Sequence, residues 1–403
     1  MTEIGQCKFK LKKIVMTREE IILCRKALVA FLFMVAAMCL SMLTSCSNED
    51  EMFDRETTEV LPSVISEDRT LYTDTEYLIS KPVFVTNGAT LTIQRGALLK
   101  ALPASGQGKA AIVITKGCKI VANGTEDAPI VMTALIKEPG SWDGVIVLGK
   151  APVSYEYETL YCGTVATDIS YGGSEGNDDS GSLQFVRVEY AGAAGGAVTF
   201  DGVGRGTTID HCQSYCSGGD GFMFNGGTVN ARYLISTGAS QNGLCFNEGY
   251  TGKLQYVMAT APIRKSVWSV VSCNGTGKLE VPSFYTHPVI ANLSTAHDNK
   301  SHGRRYPIAV SAYSRLTLVN SSTREAVADD DIPVQLIGGQ PGALPGIDYI
   351  LINATREVSS LTPDRFVLDT FFERTDYEGA VAPDVMKDRD WTKAGWVRQG
   401  KKP

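Results

Sequence analysis

From about residue 60 onward the apolar residues come in short runs rich in β-branched side chains, each closed by Gly, Asn or Asp. Thr90–Ile93, Ile112–Thr115, Ile130–Thr133 and Val145–Leu148 are examples. Such runs, bounded by turn formers, predict strands. No helical spacing of apolar residues is sustained for three turns in this region, and the runs recur at close to twenty residues, which points to a repeat.

The repeat is plainest between 183 and 260. One strand recurs as Leu183–Val186, Ile209–Cys212, Val229–Arg232 and Leu254–Val257, at steps of 26, 20 and 25 residues. A second recurs as Val198–Gly202, Phe222–Gly226 and Leu244–Glu248, at steps of 24 and 22. A coil of this size is too thin to bury its own apolar face, so neighbours must stack on it. The pattern predicts an all-β chain, a right-handed parallel β-helix (a solenoid). Phe200, Phe224 and Phe246 should form an internal aromatic column. Asp201, Asn225 and Asn247 should form a polar ladder at a corner, where glycine suits positive φ. In this register Asp210 and Asn230 fall beside Gln184 and Gln255.

The first forty-five residues read differently. Seven Lys and Arg precede an uncharged, mostly apolar run, Ala27–Leu43, and then Thr44, Ser45 and Cys46. A basic stretch, an apolar stretch and small residues before a cleavage point form a secretory signal. The Leu43–Cys46 ending resembles the bacterial lipoprotein signal, which implies lipidation of Cys46 after removal of residues 1–45. The acidic run Glu49–Glu51 resembles the surface-export signal of Bacteroidetes lipoproteins. Together these imply an outer-membrane lipoprotein facing the exterior. The expected domains are the signal at 1–45, an acidic tether at 46–70, the β-helix at 71–363 and a C-terminal capping segment at 364–403, rich in aromatics at Phe371, Phe372, Tyr377, Trp391 and Trp396.

Composition sharpens the picture. Forty glycines in 403 residues exceed the usual ~7%, without a collagen period, and fit coil corners. Removing residues 1–45 leaves 31 basic and 41 acidic residues, a net charge of −10. That excludes a general nucleic-acid-binding surface and leaves membrane attachment to the lipid. Six of the ten cysteines remain in the body: Cys118, Cys162, Cys212, Cys216, Cys245 and Cys273. They are expected to act as small core residues rather than as a disulfide scaffold. A monomer is expected.

Gly88–Ile93, Gly96 and Ala122–Val131 resemble the opening coils of secreted parallel β-helix proteins of the pectate-lyase-like superfold. Ser141–Val145, Tyr171–Gly173, Asp179–Leu183, Val186–Gly192, Asp220–Phe222, Gly226–Ala231 and Gly249–Gln255 resemble a family of Bacteroidetes β-helix lipoproteins of undefined activity. The ending from Phe371 to Trp396 is similar to that family's C-terminus. The family's Asp-Asp pair is missing here, where Gln241-Asn242-Gly243 stands instead.

Candidate chemistry is sparse. β-Helix enzymes that cleave uronic-acid polymers use acidic residues to hold calcium and a Lys or Arg as base, because a cation acidifies the C–H beside the sugar carboxylate. The nearest ingredients are Asp178, Asp179, Asp210, Asp220, Glu189 and Glu248, with Arg187, Arg205 and Arg232. No family catalytic motif matches them residue by residue. Asp178, Asp179, Asp210, Asp220, Arg232 and Glu248 are the candidate ligand or cation face, and calcium is the candidate cofactor, with Asn177–Gly181 as a turn able to hold it. His287, His297, His302 and Asp298 share one polar segment without a zinc spacing. Three functions fit the sequence: a surface scaffold that binds a glycan or another extracellular polymer, a calcium-dependent polysaccharide lyase or hydrolase, and a structural or adhesive stalk.

Overall fold

The computed structural model describes residues 55–104, 108–154, 169–260, 269–275, 285–296, 308–311, 314–322, 334–337, 347–352 and 370–400. The chain divides into Met1–Met52 and Phe53–Pro403, and every described residue belongs to the second unit. Cys46 and the expected signal over 1–45 lie outside the described residues.

Among the described residues, twenty-four strands form two sheets, one of fourteen and one of ten. Pairing is parallel, and each strand sits between its equivalents one coil earlier and one coil later. Gly196–Asp201, for example, lies between Gly144–Leu148 and Asp220–Asn225. This is the expected parallel β-helix. Along the ten-stranded sheet, Val145, Val198, Phe222, Leu244 and Val271 pair in register and are buried in the core. The column two residues on, Phe200, Phe224 and Phe246, stacks with ring centroids 5.2 Å apart at each step. Each such ring contributes about 1.5–3 kcal/mol of apolar burial.

The fourteen-stranded sheet changes character along the axis. In the early coils two short strands, Lys119–Asn123 and Ile130–Ala134, run separately. In the next coil the single strand Gly181–Glu189 pairs with the first through its leading half and with the second through its trailing half. Phe185 stands at the bend with φ +48. The bend repeats at His211, Tyr233, Tyr256, Asn292 and Asn320, all with φ between +46 and +59. A left-handed residue that is not glycine costs on the order of 1–2 kcal/mol. The rings at the bend stack in compensation, at 4.4 Å for Phe185–His211, 4.2 Å for His211–Tyr233 and 4.8 Å for Tyr233–Tyr256. Each aromatic contact of this kind contributes about 0.5–1.5 kcal/mol, which offsets much of the backbone cost.

Three sequence expectations need correction. Among the described residues strand pairing begins at Thr57–Val60, which pairs with Thr75–Ile79, so paired strand lies inside the 46–70 stretch expected to be a tether. The repeat register also differs by two residues. Asp210 pairs with Gln184 and Arg232, and Arg232 with Gln255, whereas Asn230 pairs with Thr208. The cause is turn length: four residues separate Asn225 from the strand at Asn230, against six between Asp201 and Thr208.

The third correction concerns the C-terminal segment. Residues 370–400 do not close the end of the stack but lie along the side of the fourteen-stranded sheet. Glu373 meets Arg232, Gln255 and Tyr256, and Thr375 meets Asn320 and Asn292. The chain then returns toward earlier coils. Trp391 packs edge-on against Tyr233, and Trp396 against Phe185 and His211. At the edges of the stacked rings of the bend, Trp396 is buried and Trp391 half-buried. Cys118, Cys212, Cys245 and Cys273 are buried and free, as expected; Cys216 is free and half-buried, and Cys162 lies outside the described residues.

Candidate functional site

Strand alternation sends every second side chain of the ten-stranded sheet outward. In the early coils the outward residues are Phe84, Val113 and Ile146, and they are covered by Tyr171, Val153 and Ile169. From the next coil the outward column becomes Thr199, Met223, Cys245 and Ser272. Beside it runs the ladder. The Asn225 amide donates to Asp201 Oδ1 at 2.7 Å, Asn247 to Asn225 Oδ1 at 2.8 Å, and Asn274 to Asn247 Oδ1 at 2.8 Å. The three asparagines are half-buried and Asp201 is buried. None of the ten strands carries a Lys or Arg; their charged residues are Asp201 and Asp220.

The segment after Leu148 crosses three coils at the corner below this ladder. Its backbone bonds Gly202 through Ala151, Gly227 through Pro152 and Glu248 through Ser154. The approach is close. A Cβ at Gly226 would stand 2.3 Å from Val153, and that glycine also has φ +61. The corner glycines Gly202 and Gly226 are therefore small because another segment of the same chain passes over them.

Glu248 breaks that rule. It occupies the position held by Gly202 and Gly226 in the two preceding coils, and it keeps their left-handed backbone with φ +57. Its carboxylate accepts from the Tyr171 hydroxyl at 2.9 Å. Burial pushes the Glu248 carboxyl up to about 7. Burial also raises Asp201 to about 7, with the Asn225 bond working against the shift and the Glu248 charge adding to it. Two acids that exchange protons near neutrality thus stand at one corner of a face whose strands hold no cation.

The six residues singled out from the sequence do not form one face. Asp178 is buried and accepts from Ser180 Oγ. Asp179 pairs with Lys119 at 2.6 Å, and that bond holds its carboxyl below the usual range. Both serve the turn that ends the crossing segment. Asp210 bonds the His211 ring, and Arg232 bonds Glu373 and the Phe371 carbonyl under the C-terminal segment. Asp220 is buried, accepts from the backbone and side chain of Asn242 at 2.8 Å, and has its pKa raised by burial. Only Asp220 and Glu248 flank the ten-stranded sheet, at opposite edges roughly 17 Å apart. Among the described residues no three His, Cys, Asp or Glu converge as a metal cluster. Of the remaining candidates, Arg187 and Glu189 form a buried ion pair, Arg205 donates to the Gly176 carbonyl, and His287 meets Thr317. His297, His302 and Asp298 lie outside the described residues. The bond from Tyr171 to Glu248 and the raised pKa of Asp201 were not foreseen from the sequence, although Glu248 in a glycine column was a visible signal.

A family model described as a pectate-lyase like beta helix domain matches residues 63–328. The chain belongs to the pectate-lyase-like β-helix family. The matched stretch holds the ladder, Glu248 and the crossing segment. No curated protein matches the chain. Among solved structures it is similar to the crystal structure of the Dettilon tailspike protein, at 9% identity and a TM-score of 0.22, over 69% of this chain and 61% of the length of that one.

Proposed function

We propose that this protein is a β-helix scaffold that binds a glycan on the outer face of its ten-stranded sheet. In this reading it is a monomer held at the outer-membrane surface by a lipid on Cys46. The observation that carries it is the ladder Asp201–Asn225–Asn247–Asn274, a row of mutually bonded polar side chains repeating once per coil; its asparagines and Met223 are half-buried, whereas Asp201, Thr199, Cys245 and Ser272 are buried. Hydrogen-bonding side chains at a regular spacing suit the repeating hydroxyls of a polymer. The calcium-dependent lyase reading has less support, because Arg187 and Arg232 are engaged by Glu189 and Glu373 on the other sheet. The test is a glycan array with the soluble fragment from Ser47, followed by titration calorimetry. Binding should weaken about tenfold or more in Asn247→Ala, since a lost hydrogen bond and an unpaired neighbour cost about 1–3 kcal/mol. Turnover of a polymer without measurable binding to this face would refute the reading. Labelling of Cys46 with a lipid precursor, and its loss in Cys46→Ala, tests the anchor.

A further inference from the structure

We infer that the ligand of this face is an uncharged, hydroxyl-rich glycan rather than a uronic-acid polymer; this rests on the binding function proposed above. The ten strands of the sheet hold two aspartates and no Lys or Arg. The strand cations lie on the other sheet, where Lys100 pairs with Glu76, Lys119 with Asp179, Arg187 with Glu189 and Arg232 with Glu373. Lys116, at the turn of an earlier coil, donates to Ser170 on the crossing segment. A sugar carboxylate only accepts hydrogen bonds and an ammonium only donates them, whereas a hydroxyl does both. The ladder's bonds run between its own side chains, and Cys245 and Ser272 engage Asn247 and Asn274 further. Asn225 uses one amide hydrogen and one oxygen lone pair in the ladder and keeps one of each, so it can still play both roles toward a hydroxyl. Asp201 is buried against Asn225 and Glu248 is half-buried under Tyr171, so the two acids bear on a ligand of this face through their charge. A protonated carboxyl both donates and accepts, while an ionised one would repel a uronate placed beside it. The axial repeat of this sheet, set by its paired strands at about 4.8 Å, is slightly shorter than one extended pyranose unit.

The experiment compares neutral polysaccharides with polygalacturonate and alginate, using the soluble fragment from Ser47 at about pH 8, where both acids lie mostly above their transitions. A neutral polymer should bind, with affinity changing less than about twofold between low and high salt, since no ion pair is screened. Uronate polymers should bind at least about tenfold more weakly, because like charges would be placed together. Met223→Lys puts a cation at the centre of the face, and uronate affinity should then rise with a marked salt dependence. Equal or tighter uronate binding by the wild-type protein would overturn the inference and leave the binding function standing. So would uronate binding that ignores Met223→Lys. Failure of every polymer to bind a folded protein would instead overturn the binding function itself.

Discussion

Replacing Asp201 by Asn isolates one titration in the stack. Asp201 is buried, and its carboxyl, ordinarily near 3.8, is raised to about 7, chiefly by burial. The folded state therefore holds this proton more tightly than the unfolded chain does. The contribution is fully present below about pH 4 and is lost as pH rises through about 7. The loss tends toward about 4 kcal/mol, at 1.36 kcal/mol for each pH unit between the two values. Asn at 201 has nearly the same shape and can still accept from Asn225 through its oxygen, so the ladder survives without an ionisable group. Denaturant midpoints of the soluble fragment, taken at intervals between about pH 5 and 8, should fall with pH in the wild-type protein and fall distinctly less in Asp201→Asn. Glu248 titrates in the same window, so a residual slope should persist in the variant. Parallel profiles for the two proteins would refute the reasoning, because they would mean that the Asp201 proton is not linked to folding.

Other substitutions test separate parts of the structure. Gly226→Ala should destabilise by about 2 kcal/mol or more, since the left-handed backbone and the contact with Val153 both oppose a Cβ; thermal denaturation measures it. Phe224→Ala empties the centre of the aromatic column and should lower stability by about 3–5 kcal/mol in the same assay. Arg398→Ala removes one of two cations from Glu189, a fully buried carboxylate, and should cost on the order of 3 kcal/mol, read as faster hydrogen exchange and proteolysis near Trp391–Arg398. Tyr171→Phe removes a donor from the Glu248 carboxylate and should raise the Glu248 pKa above its present value of about 7, followed by carbon-detected NMR titration.

The coil was legible in the sequence because its signals are local and repeated. Phe200, Phe224 and Phe246 fall in one column because the same strand recurs with the same residue type, and the Asp201–Asn225–Asn247 ladder follows from the same register. The alignment failed at Asn230 because turn length, unlike strand pattern, is not repeated. Arg232 therefore took the place beside Asp210. The candidate site was only partly legible. Asp220 lies in the ten-stranded sheet and Glu248 at its corner, but Asp178 and Asp179 serve a turn, and Asp210 and Arg232 stand on the other sheet. Sequence proximity to the repeat could not separate these three environments, because facing depends on alternation within each strand. The contact of Tyr171 with Glu248 was invisible for a further reason: it spans 77 residues and depends on a crossing segment that obeys no repeat.

The two non-repeating segments explain features that the repeat alone leaves unaccounted for. In a solenoid each coil touches its neighbours, so stability is a sum of local terms and the stack can open at any weak interface. Here residues 149–154 tie Gly202, Gly227 and Glu248 in successive coils, which requires glycine at the corners they cross. On the opposite side, the C-terminal segment links Arg232, Gln255, Asn292 and Asn320, and then returns to Gln213 and Glu189. A weak coil beneath either tie cannot open without breaking contacts to coils that remain closed. The left-handed aromatic column becomes intelligible in this light. Its stacked rings offset the backbone cost within the sheet, and their edges give Trp391 and Trp396 a place to pack. Glu248 can then occupy a glycine position for the same kind of reason: its strain is held by Tyr171 and Ser154 from a segment anchored on two other coils.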